Sequence, residues 1–126
     1  MQELLKKFFV VLILFLVIDM VWLKFVAGPK YQTSIRTIQG EDMKPNMYMG
    51  IIVYLVMTVL LLLCLNKQFS TKELFLVGFC SYAVYDFTNA TVFKKWDKLF
   101  GLFDSIWGGL LFAIVGMITR KFFNNY

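Results

Sequence analysis

The chain has 126 residues, a net charge of +5 and a composition that is 60% hydrophobic with only 17% charged residues. A mean hydropathy of +0.70 places it outside the range of soluble globular domains and among integral membrane proteins, and the length supports one domain spanning 1–126. Histidine is absent, which removes Ser-His-Asp and Cys-His chemistry and the commonest ligand for zinc, haem and copper. No metal site or cofactor is therefore expected.

The first apolar run, Phe8 to Ala27, follows Lys6-Lys7 and covers 20 residues. That is long enough to cross ~30 Å of hydrocarbon. A cleaved signal segment would be shorter and would end in a small-residue site, so the run is expected to stay as a transmembrane helix. Gly28-Pro29 is expected to stop it. A polar connection follows, Gly28–Asn46, with a short interfacial helix expected around Thr33–Gln39.

Pro45-Asn46 introduces the second run, 47–65. The third covers 73–93 and the fourth 99–119, closed by Arg120-Lys121. No run alternates with the period of two that a membrane barrel strand needs. Helices satisfy their own backbone groups in lipid, so the expected fold is all-α: a four-helix membrane bundle with both termini on one side. On that side, side A, lie six Lys and Arg residues; side B, with the longer loop, carries seven. This near balance sets no orientation. The cations flank the spans, as interfacial anchors do; no nucleic-acid partner is implied. Cys64 and Cys80 lie in apolar runs without metal or redox spacing and read as packing residues.

Three acids lie inside the spans. At 1.5 Å of rise per residue, Asp19 is ~12 Å, Asp86 ~10 Å and Asp104 ~8 Å from the side B end of its helix. Tyr54 falls at a similar level on the second helix. One polar pocket, open or nearly open to side B and lined from all four helices, accounts for the shared depth. In helix three, Gly78, Tyr82, Tyr85, Asp86 and Asn89 form one stripe. In helix four, Gly101, Ser105, Gly109 and Ala113 recur at four-residue spacing, with Gly108 beside them, and allow close helix approach. Trp22 sits one turn from Asp19, and Trp107 repeats that relation to Asp104. The candidate ligand, ion or proton site is thus Asp19, Trp22, Tyr54, Tyr82, Tyr85, Asp86, Asn89, Asp104 and Trp107.

An ionised carboxylate at the bilayer centre costs roughly 2.5–3.5 kcal/mol on insertion scales, and three neighbouring acids would not all ionise together. A structural reading remains beside the functional one: acids hydrogen-bonded to Trp, Tyr and Asn across helices. Lys24 has two options, snorkelling to the interface or returning as a counter-charge to Asp19 or Asp86. Trp96, in Lys94-Lys95-Trp96-Asp97-Lys98, reads as an interfacial belt residue.

Asp19-x-x-Trp22-Leu23, Tyr85-Asp86-x-Thr88-Asn89 and Asp104-x-x-Trp107-Gly108 together resemble the domain-of-unknown-function family 2177 over nearly the whole chain. Tyr-Asp-x-Thr-Asn is the most specific part. Where members often carry Trp-Pro after the third helix, this chain has Trp96-Asp97. The resemblance implies a four-span protein of the bacterial inner membrane, and no reaction. From the residues themselves, three functions compete: binding or transport of a small cation, proton or polar ligand by a homo-oligomer; a lipid-modifying enzyme or the membrane partner of one; and a structural assembly subunit. The missing nucleophile–base pair argues against an enzyme.

Overall fold

The structure, a computed structural model, describes residues 1–123. Among them every regular element is helical: α1 (Gln2–Trp22), a π turn (Leu23–Ala27), α2 (Gly28–Gln39), α3 (Met47–Asn66), α4 (Thr71–Val92) and α5 (Lys98–Phe122). Three helical stretches are long and apolar enough to cross a membrane: 2–39, 47–66 and 98–122. α4 carries Ser81, Tyr82, Tyr85, Asp86, Thr88 and Asn89 in the same length and is the most polar of the long helices.

Local chemistry sets the helix starts. Asn46 accepts hydrogen bonds from the Tyr48 and Met49 amides. Ser70 and Glu73 form a reciprocal capping box, and Asp97 accepts from the Phe100 amide at 2.9 Å. Each cap satisfies N–H groups that have no partner within the helix. The α3–α4 turn is tight, with Gln68 at φ 57°. Arg120, near the end of α5, donates to the Phe69 carbonyl within that turn.

Gly28-Pro29 does not stop the first helix. The Gly28 amide instead bonds to the Leu23 carbonyl five residues back, forming the π turn, and Pro29 occupies the first turn of α2. The widened turn makes room for the proline ring, which in a regular ladder would clash with the carbonyl four residues earlier. Glycine fits here because a Cβ at position 28 would lie 2.4 Å from that same Leu23 oxygen. The result is a continuous rod of 38 residues, ~57 Å long at helical rise, so α2 extends beyond the ~30 Å apolar layer. It ends at Gly40, whose φ of 78° lets its amide cap the Arg36 carbonyl.

α1 runs antiparallel to α5: the Lys7 ammonium lies over the Phe123 ring at side A, and Phe15 meets Phe112 midway, with centroids 5.1 Å apart. Both chain ends therefore approach the same side. α1 buries Lys7, Val11, Phe15 and Asp19, a strict four-residue stripe. Its Phe9, Ile13 and Val17 face outward, as a lipid-facing surface requires.

The interior has two storeys. Toward side A, Val11 and Phe15 pack with Leu61 and Leu65 of α3, Leu74 of α4 and Phe112 of α5. Toward side B, α1, α4 and α5 bury the three acids Asp19, Asp86 and Asp104. α4 and α5 meet through glycine. A Cβ at Gly78 would lie 2.2 Å from the Gly108 carbonyl oxygen, and one at Gly109 would lie 2.7 Å from the Phe75 ring. α5 buries Gly101, Ser105, Gly108, Gly109 and Ala113 on this side. Cys64 is buried and Cys80 exposed, both as free thiols.

The backbone contact at Gly78 leaves no room for a methyl group, whereas a Cβ at Gly50 of α3 would meet nothing within 4 Å. Gly78→Ala is expected to destabilise the protein by about 1–3 kcal/mol. Gly50→Ala should instead be neutral or stabilising by up to about 1 kcal/mol. Thermal unfolding of both variants in detergent measures the difference.

Candidate functional site

The i, i+3 spacing in Asp-x-x-Trp puts an acid and an indole on one face of a helix, one turn apart. Because α1 and α5 are antiparallel, the tryptophan of each comes level with the acid of the other, and the pairs exchange partners. The Trp107 indole N–H donates to Asp19 Oδ1 at 2.8 Å, and the Trp22 indole N–H donates to Asp104 Oδ1 at 3.0 Å. The two indoles stack, 4.9 Å between centroids and 7° from parallel, and Phe100 continues the stack on Trp22 at 6.3 Å.

Each carboxylate has a second donor. The Tyr54 hydroxyl of α3 bonds to Asp19 Oδ2, and the Tyr31 hydroxyl of α2 bonds to Asp104 Oδ2 at 2.7 Å. Asp19 and Asp104 are thus buried and held by neutral donors at both oxygens. This is how a carboxylate is accommodated where water is excluded.

Asp86 differs. It is 0% exposed, and neither of its oxygens has a hydrogen-bond partner among the described residues. It lies against Asp104 and the Trp96 indole, whose buried N–H is also unpartnered. Gly101 permits this approach of α4 to α5: a Cβ there would lie 3.2 Å from the Asp86 Cβ. Aromatic rings close the space on side B. Tyr31 meets Phe100 at 5.6 Å, Trp96 at 5.9 Å and Tyr85 at 6.5 Å.

The remaining sequence-derived candidates lie around this centre. Tyr82 packs its ring against Gly108. Tyr85 is half-exposed and edge-on to Trp96, and Asn89 follows one turn later on α4. Lys24 is exposed over the Phe25 ring, 5.6 Å from its centroid, and makes no ion pair with Asp19 or Asp86. The snorkelling option describes it.

Three expectations need correction. The acidic cluster is not an open pocket: Tyr31, Trp96 and Phe100 fill the space above it. Trp96 is not a belt residue, since it is 5% exposed and turned inward beneath Tyr31. Of the connection expected over Gly28–Asn46, Gly28–Gln39 is helix α2, which contains the short helix expected around Thr33–Gln39 and runs on from the first span, and only 40–46 are irregular; Tyr31 of α2 is part of the cluster. In a regular helix position 30 would share the face of Asp19, eleven residues on. The one-residue π insertion moves that face to Tyr31.

A protein-family model described as a predicted membrane protein, DUF2177, matches residues 4–120. The chain belongs to this family. Comparisons with curated proteins and with solved structures return no match. As a member of DUF2177 with three helical stretches able to cross a membrane, the protein is a multi-pass integral membrane protein in contact with the bilayer.

Replacing either indole with a ring that lacks the N–H leaves its acid one donor short while keeping most of the stack. Trp107→Phe and Trp22→Phe are each expected to cost about 1–2 kcal/mol. Unfolding of the two variants in mixed micelles checks this, and the comparison with Trp96→Phe, whose N–H has no partner, separates the bond from the ring.

Proposed function

We propose that this DUF2177 protein binds a proton or a small cation reversibly at the Asp86–Asp104 pair, and that Asp19 and Asp104 hold the frame around it. One observation carries the reading: Asp86 is fully enclosed beside a second acid, Asp104, and no donor among the described residues meets hydrogen-bond geometry at either of its oxygens, the Trp96 indole being the neighbour that comes nearest to it, whereas Asp19 and Asp104 have a donor at each oxygen. A bare carboxylate without donors in an apolar enclosure is too costly to persist. Its charge must be cancelled by a proton or by a cation shared with Asp104. The closed aromatic roof leaves no opening for a hydrated ion, which favours the proton or a cation stripped of water.

The two Trp–Asp exchanges support a structural role for the other acids. They tie α1 to α5, with Tyr54 adding α3 and Tyr31 adding α2. Transport, as distinct from binding, would require a second copy to complete a path. The polar, half-exposed side of α4 around Tyr85 is the surface such a homo-oligomer would use.

Asp86→Asn tests the assignment. The substitution keeps the shape and removes the charge, so the variant should fold and unfold at no lower temperature than the wild type. The wild type's unfolding temperature should vary with pH, or with Li⁺ and Na⁺ against choline, and this dependence should disappear in Asp86→Asn. The same pH and cation response in both proteins would rule out Asp86 as the binding group.

A further inference from the structure

A substantial cavity lies away from the acidic cluster. It is a groove of about 480 Å³ on the outer surface between α1–α2 and α5, in the size range of small-molecule sites. Trp22, Val26, Phe100, Phe103, Ile106 and Trp107 form its walls, and Leu110 closes its deep end. Lys30 and Asp97 stand at its side B rim.

Its direction follows from its residues. On α5 it runs from Leu99 to Leu110, ~16 Å along the helix axis, and on the first rod from Lys30 back to Trp22, ~12 Å. It is therefore elongated along the spans, parallel to the lipid chains beside them. Water does not fill an apolar groove at this depth, and lipid chains surround it on the open side. Lys30 lies one turn past the apolar run that ends at Ala27, at the level of headgroups, and it is exposed with no ion pair among the described residues. Asp97 is already engaged as the cap of α5, and the loop that carries it also bears Lys94, Lys95 and Lys98. The walls are apolar, the rim itself carries one charge of each sign, Lys30 and Asp97, and Lys94, Lys95 and Lys98 next to Asp97 in the chain make its surroundings net positive.

We infer that this groove is a site for one anionic phospholipid, with an acyl chain laid against the Trp22–Trp107 stack and the phosphate at Lys30. The chemistry is that of a juxtamembrane cation at an anionic headgroup joined to burial of a hydrocarbon chain. The inference does not rest on Asp86. The same two indoles that floor the groove hold Asp19 and Asp104 through their N–H groups, so an occupying chain would press on the outer face of the stack.

Quenching of tryptophan fluorescence by brominated chains reads occupancy directly, since Trp22 and Trp107 are wall residues. The full chain is placed in equimolar phosphatidylglycerol–phosphatidylcholine vesicles, with the bromines on one lipid or the other. Brominated phosphatidylglycerol should quench more strongly, by a preference of about fivefold in local lipid association. Lys30→Gln should abolish the preference, and Lys24→Gln, outside the groove, should retain it. Ile106→Phe, which fills the groove, should weaken quenching by both lipids. Equal quenching by the two lipids in the wild type would overturn the inference. So would equal loss in Lys30→Gln and Lys24→Gln, which would show general surface attraction, or unchanged quenching in Ile106→Phe.

Discussion

The exchange of indole N–H donors between two buried aspartates fixes how the helices stand against one another. Asp19 can keep its partner only if Trp107 arrives at its level, and Asp104 only if Trp22 does. These two conditions set both the direction and the axial register of α1 against α5. A shift of one turn would break both bonds, because the acid and the indole are themselves one turn apart. Stacking of the rings then sets the separation. α3 joins through Tyr54, and the glycine contacts at Gly78 and Gly108 bring α4 against the other side of α5. Hydrophobic burial alone would not choose this register, because lipid chains are as apolar as the leucines of the core.

This frame also explains why one acid stands apart. Two indoles, Trp22 and Trp107, and two phenols, Tyr31 and Tyr54, serve the four oxygens of Asp19 and Asp104, while a third indole, Trp96, lies beside Asp86. Asp86 enters from α4 after these are used, at a place where Gly101 lets it reach Asp104. The four donors that hold the other two acids are thus not shared with Asp86, which has only the neighbouring Trp96 indole beside it. A chain selected only for a stable bundle would gain by an apolar residue there.

Much of this was legible in the sequence because helical rise and periodicity are fixed quantities. The depths of Asp19, Tyr54, Asp86 and Asp104 follow from counting residues. The small residues of α5 mark its packing face. The exchange of donors was not legible, since Asp-x-x-Trp says that acid and indole share a face but not which helix each will meet. Tyr31 was hidden because Gly-Pro signals a break far more often than a π turn, and an error at Gly28 carries every later residue out of phase. Trp96 lies among lysines, which is the pattern of an interfacial anchor, and only the roof formed with Tyr31 and Tyr85 turns it inward. The groove depends on the gap between two helices and has no signature in either one.

The π turn gives the rod a bearing as well as a length. One extra residue within a helical turn rotates everything beyond it by about 100°. The side chains of α2 therefore point where they do because of the π turn at Leu23–Ala27. With a regular ladder through Leu23–Ala27, α2 would keep its helix and its reach, but Lys30 would take the azimuth now held by Tyr31. An ammonium would then face the carboxylates in place of a phenol, and the acidic centre would be neutralised from within by its own chain. The single inserted residue decides whether that centre meets a lysine of its own chain or a phenol.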